Sequence, residues 1–387
     1  MEHIETLTEA DFDAVLALDQ FAFQSELSAD ELSEEKEKIK QDTIWGWKED
    51  GQLAAKVHQI PLSCYINGKA FAMGGIAGVA SWPEYRRRGM VKHLLYHALV
   101  KMKENGQSIS LLHPFSFAFY RKYGWEHAFT RQHYSLPMKR LKKKWNLSGG
   151  YVRRIGPDIP LLQQIYSEYA STFNGMLVRD EAWWRQRVLT KKYQIAATFN
   201  RQDEPEGYII YDVTSNIFTI KEWAYVNVQA QKQLLHFIAN HDSMADKVEL
   251  TVPERDNLPL LLDEPRFEQK LTPYFMARIV DVQQFLQEYP FQDEGEFTLV
   301  VSDEFFPENS GTYQLDIAAG QTTVNMDEQG NDTQAIHCSI QLLTCMLLNF
   351  RRPKDYYQAE LIAGELEAIE RLEKLIPNRQ TFLSDFF

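Results

Sequence analysis

Cysteine is scarce in this chain: Cys64, Cys338 and Cys345 are the three present in 387 residues. Three thiols cannot build a disulfide framework, and the low, odd count predicts a reducing, cytoplasmic setting. Long apolar runs are absent too, which argues against a membrane-spanning helix. The N-terminal stretch MEHIETLTEADF is acidic and lacks the apolar centre of a signal peptide. Positive charge is in short supply, with 41 basic against 54 acidic residues and a net charge of −13. That balance argues against nucleic acid as the main partner and suits a small cationic one. Neither a G-x-x-x-x-G-K-[ST] loop nor a G-x-G-x-x-G fingerprint occurs. No metal is expected. His93 and His97 lie four apart, but Leu94 stands where H-E-x-x-H has its glutamate, so the pair reads as solvent-side histidines.

The periodicities that are present describe mixed α/β architecture. TEADFDAVLALDQFAF opens a helix behind a Thr8/Asp11 capping box, and Ser28 to Lys40 reads as an exposed second helix. Strands follow around Asp50-Gly51 and around Asn67-Gly68, both hairpin signals. From Met90 the residues Val91, Leu94, Leu95, Ala98, Leu99 and Met102 form a 3.6-residue stripe that predicts a helix packed on a sheet. A buried strand, a short aromatic helix FAFYRKYGW and a further strand close this region near residue 135. The basic run MKRLKKKW and Gly149-Gly150 then read as a linker. A second helix–strand–strand–helix unit extends to about Arg278. A third begins near MARIVDVQQF, with Cys338 and Cys345 placed on one face of an apolar helix. The expected domains are 1–147, 148–280 and 281–387.

Chemistry concentrates in EYRRRGMVKHLL. Arg86, Arg87 and Arg88 stand against Gly89 at a helix start, where unpaired N–H groups and the helix dipole already favour an anion. Gly89 permits a close backbone approach, and guanidinium groups match phosphate oxygens. An exposed basic turn that merely caps a helix would read the same in isolation. In context the stretch resembles the [QR]-x-x-G-x-[GA] acyl-CoA motif of the GNAT acetyltransferase superfamily, with Val91 where Gly or Ala is usual. FYRKYGW resembles that superfamily's later aromatic segment. Together with RDEAWW, EGYIIYDV, MARIVDV and an aromatic chain end, the sequence is similar to the enhanced intracellular survival (Eis-type) N-acetyltransferases.

The resemblance implies tandem GNAT-like domains followed by a sterol-carrier-like α+β domain, with the central domain lacking a cofactor site. It implies acetyl-CoA as co-substrate, a small-molecule amine as acceptor, and a homo-oligomer, either trimer or hexamer. The strand backbone at Val79, Ala80 and Ser81 would pair with the pantetheine arm. The turn Arg86, Arg87, Arg88, Gly89, Met90 and Val91 would hold the pyrophosphate. By the same resemblance Tyr120 is the general acid and the main-chain carboxylate of Phe387 the general base. By composition alone Tyr120 could be one more core aromatic, and the chain end could be frayed. Asp19, Glu26 and Asp385 are candidates for attracting a cationic amine; Trp45, Trp47, Phe21 and Phe23 are candidates for lining its site. The alternative function is a lipid-binding or scaffolding protein whose GNAT domain is inactive.

Overall fold

The computed structural model describes residues 3–141, 145–190, 192–327 and 335–387. The lysines 142–144 of the expected linker lie outside the described residues. The chain forms two compact units: residues up to Ala128 with Phe275–Asn378 and Phe386–Phe387, and Phe129–Tyr274 with Arg379–Asp385.

The first unit opens with β1 (Ile4–Thr6), α1 (Phe12–Phe23), α2 (Ala29–Ile39), β2 (Thr43–Glu49), β3 (Gln52–Ile66) and β4 (Lys69–Ser81). It continues with α3 (Met90–Glu104), β5 (Ile109–Leu112), α4 (Phe117–Arg121) and β6 (Glu126–His127). The capping box at Thr8 forms, with Thr8 N–H donating to Asp11 at 2.9 Å, and it caps a short 3-10 turn ahead of α1. Both hairpin turns hold two residues at positive φ, 49° and 77° at Asp50-Gly51 and 50° and 85° at Asn67-Gly68, the geometry that matches strand twist. Helices cover both faces of the sheet. On one face Phe12, Val15, Leu16 and Leu18 of α1 pack with Ile44, Leu53 and Ala80. On the other, Met90, Leu94, Leu95, Ala98, Leu99 and Met102 of α3 pack with Trp45, Val57, Ile76 and Leu112.

The next strand, β7 (Thr130–Pro137), departs from the expected first domain. Its hydrogen bonds run to the second unit's sheet, which also contains β8 (Tyr151–Ile155), β9 (Gln194–Phe199), β10 (Pro205–Thr214), β11 (Ile217–Tyr225), β12 (Lys247–Pro253) and β13 (Glu268–Pro273). Strand β14 (Met276–Ile279) then joins the first sheet between β5 and β6. The two sheets share one plan, β1-β2-β3-β4-β5-β14-β6 and β8-β9-β10-β11-β12-β7-β13. The first sheet draws its sixth strand, β14, from beyond the stretch that holds β1 to β6, whereas β7 to β13 of the second follow one another in the chain. The alternation along β7 specifies a buried face but not a partner strand, so its sheet cannot be read from its sequence.

The remainder of the first unit carries a four-stranded sheet, β17-β16-β15-β18, from β15 (Gly295–Ser302), β16 (Gly311–Ala318), β17 (Gln321–Asp327) and β18 (Ile336–Ser339). Helices Ile340–Leu347 and Leu366–Leu375 accompany it. Cys338 therefore lies in a strand and Cys345 in the following helix, not on one helix face; both are buried free thiols.

Candidate active site

Strands β4 and β5 run parallel and pair from Met73/Ile109 to Ile76/Leu112. There β5 ends while β4 continues to Ser81, so the edge of Ala77–Ser81 on that side has no strand beside it. Along this stretch β4 carries a bulge. Ala77 pairs with His58 and Ala80 with Lys56, leaving Gly78 and Val79 opposite Val57 alone. Gly78 sits at φ 53°, and a Cβ there would lie 2.7 Å from the His58 ring, so the bulge needs glycine.

The arginine turn follows directly. Pro83–Tyr85 form a 3-10 turn, Arg87 and Gly89 take positive φ of 65° and 82°, and α3 begins at Met90. The first helical backbone bond is His93 N–H to Gly89 O. Among the described residues the backbone N–H groups of Arg87 to Lys92 donate to no acceptor, the arrangement expected of an anion cradle. Arg88 is tied to Glu49 at 3.3 Å and lies over the Tyr85 ring. Arg86 and Arg87 are exposed and form no ion pair among the described residues. The donor set therefore fits a pyrophosphate, with Val91 half-buried where a smaller residue is usual in the motif it resembles.

Tyr120 on α4 is 3% exposed, belongs to the core cluster on the α3 face of the sheet, and has the Phe119 ring at 5.1 Å and the Phe115 ring at 5.6 Å. Its hydroxyl has no hydrogen-bond partner among the described residues. Burial, with the Tyr123 phenol adding to it, pushes this hydroxyl well above the ordinary phenol range. Tyr120 therefore stays protonated at any physiological pH. Phe387 is 7% exposed, its ring 5.0 Å from Phe275 and against Gly75 of β4. Phe386 meets the ring of His113, the residue after β5, edge to face at 5.1 Å. The end of the chain is packed where β4 and β5 part.

Two buried ion-pair systems stand beside these residues, and periodicity gave no sign of either. Lys56 on β3, 0% exposed, reaches Asp19 of α1 at 2.7 Å, His58 Nε2 at 2.8 Å and the Gly78 carbonyl at 3.0 Å. Arg278 on β14 pairs with Asp303 and donates to the Tyr123 carbonyl in the turn after α4. Gly124 makes room for it: a Cβ there would overlap the guanidinium. A lysine among apolar strand residues and an arginine in MARIV were the visible signals, since such charges are buried only when paired.

Other candidates resolve differently. Trp45 and Trp47 pack against His97 and His93 of α3, within the core face rather than as a separate acceptor lining. Phe21 and Phe23 are exposed, Phe21 lying 4.9 Å from Trp82. Asp19 is neutralised by Lys56, and Asp385 by Arg179 at 2.9 Å with a bond from Trp183 Nε1 at 2.8 Å. Glu26 is exposed. Among the described residues no trio of His, Cys, Asp or Glu is placed to hold a metal, and no helix is long and apolar enough to cross a membrane.

In the second unit β11 and β12 pair in parallel from Ile217/Lys247 to Thr219/Glu249, as β4 and β5 do. The helix that follows β11, Val228–Ala239, begins without an arginine–glycine turn. Asn227 occupies its start and accepts from Ala230 N–H at 2.9 Å. A cavity of about 100 Å3 in this unit is lined by Lys221, Glu222 and Trp223 of β11 and Thr251 of β12, with Phe382 and Ser384. Against the four-stranded sheet of the first unit, a groove of about 450 Å3 is lined by Glu296, Asp316, Glu365, Glu367 and Arg371. Such a polar lining suits an apolar lipid poorly.

Residues 3–128 and 175–279 each match the acetyltransferase (GNAT) domain family, and residues 282–384 match the sterol carrier protein domain family. An uncharacterized N-acetyltransferase of Streptomyces griseus is 23% identical over 270 residues, covering 62% of this chain and 64% of that protein. N-acetyltransferase Eis of Mycobacterium tuberculosis is 24% identical over 268 residues, 64% of each chain. The chain thus spans just under two thirds of the length of these curated relatives. A crystal structure from Enterococcus faecalis V583, described as a conserved protein of unknown function and probable N-acyltransferase, superposes with a TM-score of 0.92 over 99% of both chains at 26% identity. The architecture is that of tandem GNAT domains followed by a sterol-carrier-like domain. Within that architecture the chain is similar to N-acetyltransferase Eis in sequence, and two of its stretches match GNAT acetyltransferase domain models.

Proposed function

We propose that this chain is an acetyl-CoA-dependent N-acetyltransferase that acts on primary amines of a small cationic substrate, such as a polyamine, a lysine or an aminoglycoside-like molecule. The observation that carries the proposal is the run of unpaired N–H groups from Arg87 to Lys92, with two uncommitted arginines, directly after a strand whose edge lies open. The backbone of Arg86 to Val91, with Arg86, Arg87 and Arg88, holds the pyrophosphate, and Val79, Ala80 and Ser81 take the pantetheine arm along the open edge. Acetyl-CoA supplies a thioester whose carbonyl carbon bonds to the amine nitrogen while its bond to sulfur breaks. The Val79 N–H faces the carbonyl oxygen as negative charge grows there. The carboxylate of Phe387 takes the amine proton, and the Tyr120 hydroxyl gives its proton to the departing sulfur. The packed Phe387 ring fixes that carboxylate in place. Net acidity favours a cationic acceptor, and the resemblance to Eis-type enzymes favours a trimer or hexamer working in the cytoplasm.

The test is release of free thiol from acetyl-, propionyl- and longer acyl-CoA with spermidine and an aminoglycoside as acceptors. Amine-dependent release from acetyl-CoA is the expected result. Preference for a longer acyl chain would change the donor. Absence of both coenzyme A binding and thiol release would leave the scaffolding alternative.

A further inference from the structure

The Gly78–Val79 peptide is the one irregular peptide on the strand edge that the proposed function uses, and a buried ammonium is bonded to it. Lys56 Nζ has three neighbours within hydrogen-bond reach: Asp19 Oδ1 at 2.7 Å, His58 Nε2 at 2.8 Å and Gly78 O at 3.0 Å. An ammonium has three protons and no lone pair, so three acceptors satisfy it completely. His58 Nε2 must then accept, which places its proton on Nδ1, 3.1 Å from Asp42 Oδ2. The charged and titratable groups that face Lys56 are thus Asp19 from α1, His58 from β3 and Asp42 from the segment before β2. Desolvation pulls the Lys56 ammonium down, and the Asp19 and Asp42 charges oppose that pull.

The consequence runs through one peptide plane. The chain contains no cis peptide among the described residues. In a trans peptide the N–H of Val79 points opposite to the Gly78 carbonyl, and so away from Lys56. A cation on a carbonyl withdraws electron density across the amide and makes its N–H a stronger donor. The bulge therefore presents an N–H that is both fixed in direction and polarised.

We propose that Lys56 is a positioning residue that locks and polarises the Gly78–Val79 peptide for the thioester carbonyl, with Asp19 holding Lys56 in place. This inference rests on the acetyl-transfer reading of the same site.

The sequence offers a clean probe, since Gly78–Val79 is its sole Gly-Val step. Protein labelled with carbonyl-13C glycine and 15N valine gives a single correlated amide signal from this peptide, without any ligand. In Lys56→Met the carbonyl resonance should move upfield and the amide proton with it. Calorimetry should show acetyl-CoA affinity within about threefold of wild type, while kcat falls by about 10- to 100-fold, less than the loss of a whole oxyanion donor. Asp19→Asn, which keeps the size and an acceptor oxygen, should shift the same signal in the same direction by less; it serves if Lys56→Met does not fold. An unmoved Gly78–Val79 signal in Lys56→Met overturns the proposal, as does a loss of affinity equal to the loss of kcat. Failure of the wild-type protein to bind acetyl-CoA would instead remove the reading beneath it, and the calorimetry reports that separately.

Discussion

Replacing Arg278 by methionine should destabilise the protein far more than its volume change suggests. Both members of the Arg278–Asp303 pair are buried, at 0% and 3% exposure. Removing the guanidinium leaves a carboxylate without its counter-charge and strips the Tyr123 carbonyl of its donor. Loss of one partner from such a pair costs about 3–5 kcal/mol. Asp303 keeps three donors, Phe305 N–H at 3.2 Å, Phe306 N–H at 3.0 Å and Asn309 Nδ2 at 3.1 Å, so the lower end, about 3 kcal/mol, is expected. In Arg278→Met/Asp303→Asn the remaining side-chain oxygen still accepts from the Phe305 and Phe306 N–H groups, the new amide NH2 replaces the oxygen that Asn309 Nδ2 bonds, and no charge is buried. The double variant should lose about 1–2 kcal/mol, mostly from the bare Tyr123 carbonyl. Urea unfolding of the four proteins at pH 7.5 yields the coupling energy directly. A single-variant loss below about 1 kcal/mol, or a double variant no better than the single, would refute the reasoning. The turn concerned directly follows α4, so the folded double variant should also lose kcat through a less firmly held Tyr120.

Tyr120→Phe should lower kcat by about 100-fold, the usual scale for general acid catalysis, with acetyl-CoA affinity unchanged in calorimetry; lost affinity would mark Tyr120 as a packing residue. Extending the chain by a few residues beyond Phe387 should abolish most activity while circular dichroism stays unchanged, and full activity in the extended protein would exclude the Phe387 carboxylate as base. Burial pushes the Asp256 carboxyl up to about 6, against bonds from the backbone of Leu258 and Asn257. Its contribution to stability is therefore complete below about pH 4 and lost as pH rises through about 6. Asp256→Asn should accordingly stabilise the protein by about 2 kcal/mol at pH 8 and by little at pH 4, as thermal unfolding at the two pH values will show.

How much of this was visible in the sequence depended on the range of the interaction. The α3 stripe, the glycine hairpins and the arginine turn are encoded by residues within a few positions of one another. Local physics was therefore enough to place them, and the buried α3 face matched the stripe except for half-buried Val91. The exchange of β7 and β14 was not legible, because alternation along a strand is indifferent to which sheet receives it. Cys338 was assigned to a helix because AIHCSIQLLTCMLL is mostly apolar throughout, and a run of that kind does not separate a buried strand from a buried helix. The Lys56 and Arg278 networks join residues 37 and 25 positions apart, and no spacing rule covers them. Both surround motif residues that the sequence did reveal. The chemistry-bearing residues were readable, while the groups that hold them in register were not.

The most direct measurement is a crystal structure of the protein with coenzyme A. The account predicts the pyrophosphate against the backbone N–H groups of Arg87 to Lys92 and the pantetheine arm along Val79–Ser81, with its sulfur toward Tyr120. Coenzyme A bound at another place, or a turn filled by the protein's own side chains at saturating ligand, would contradict it.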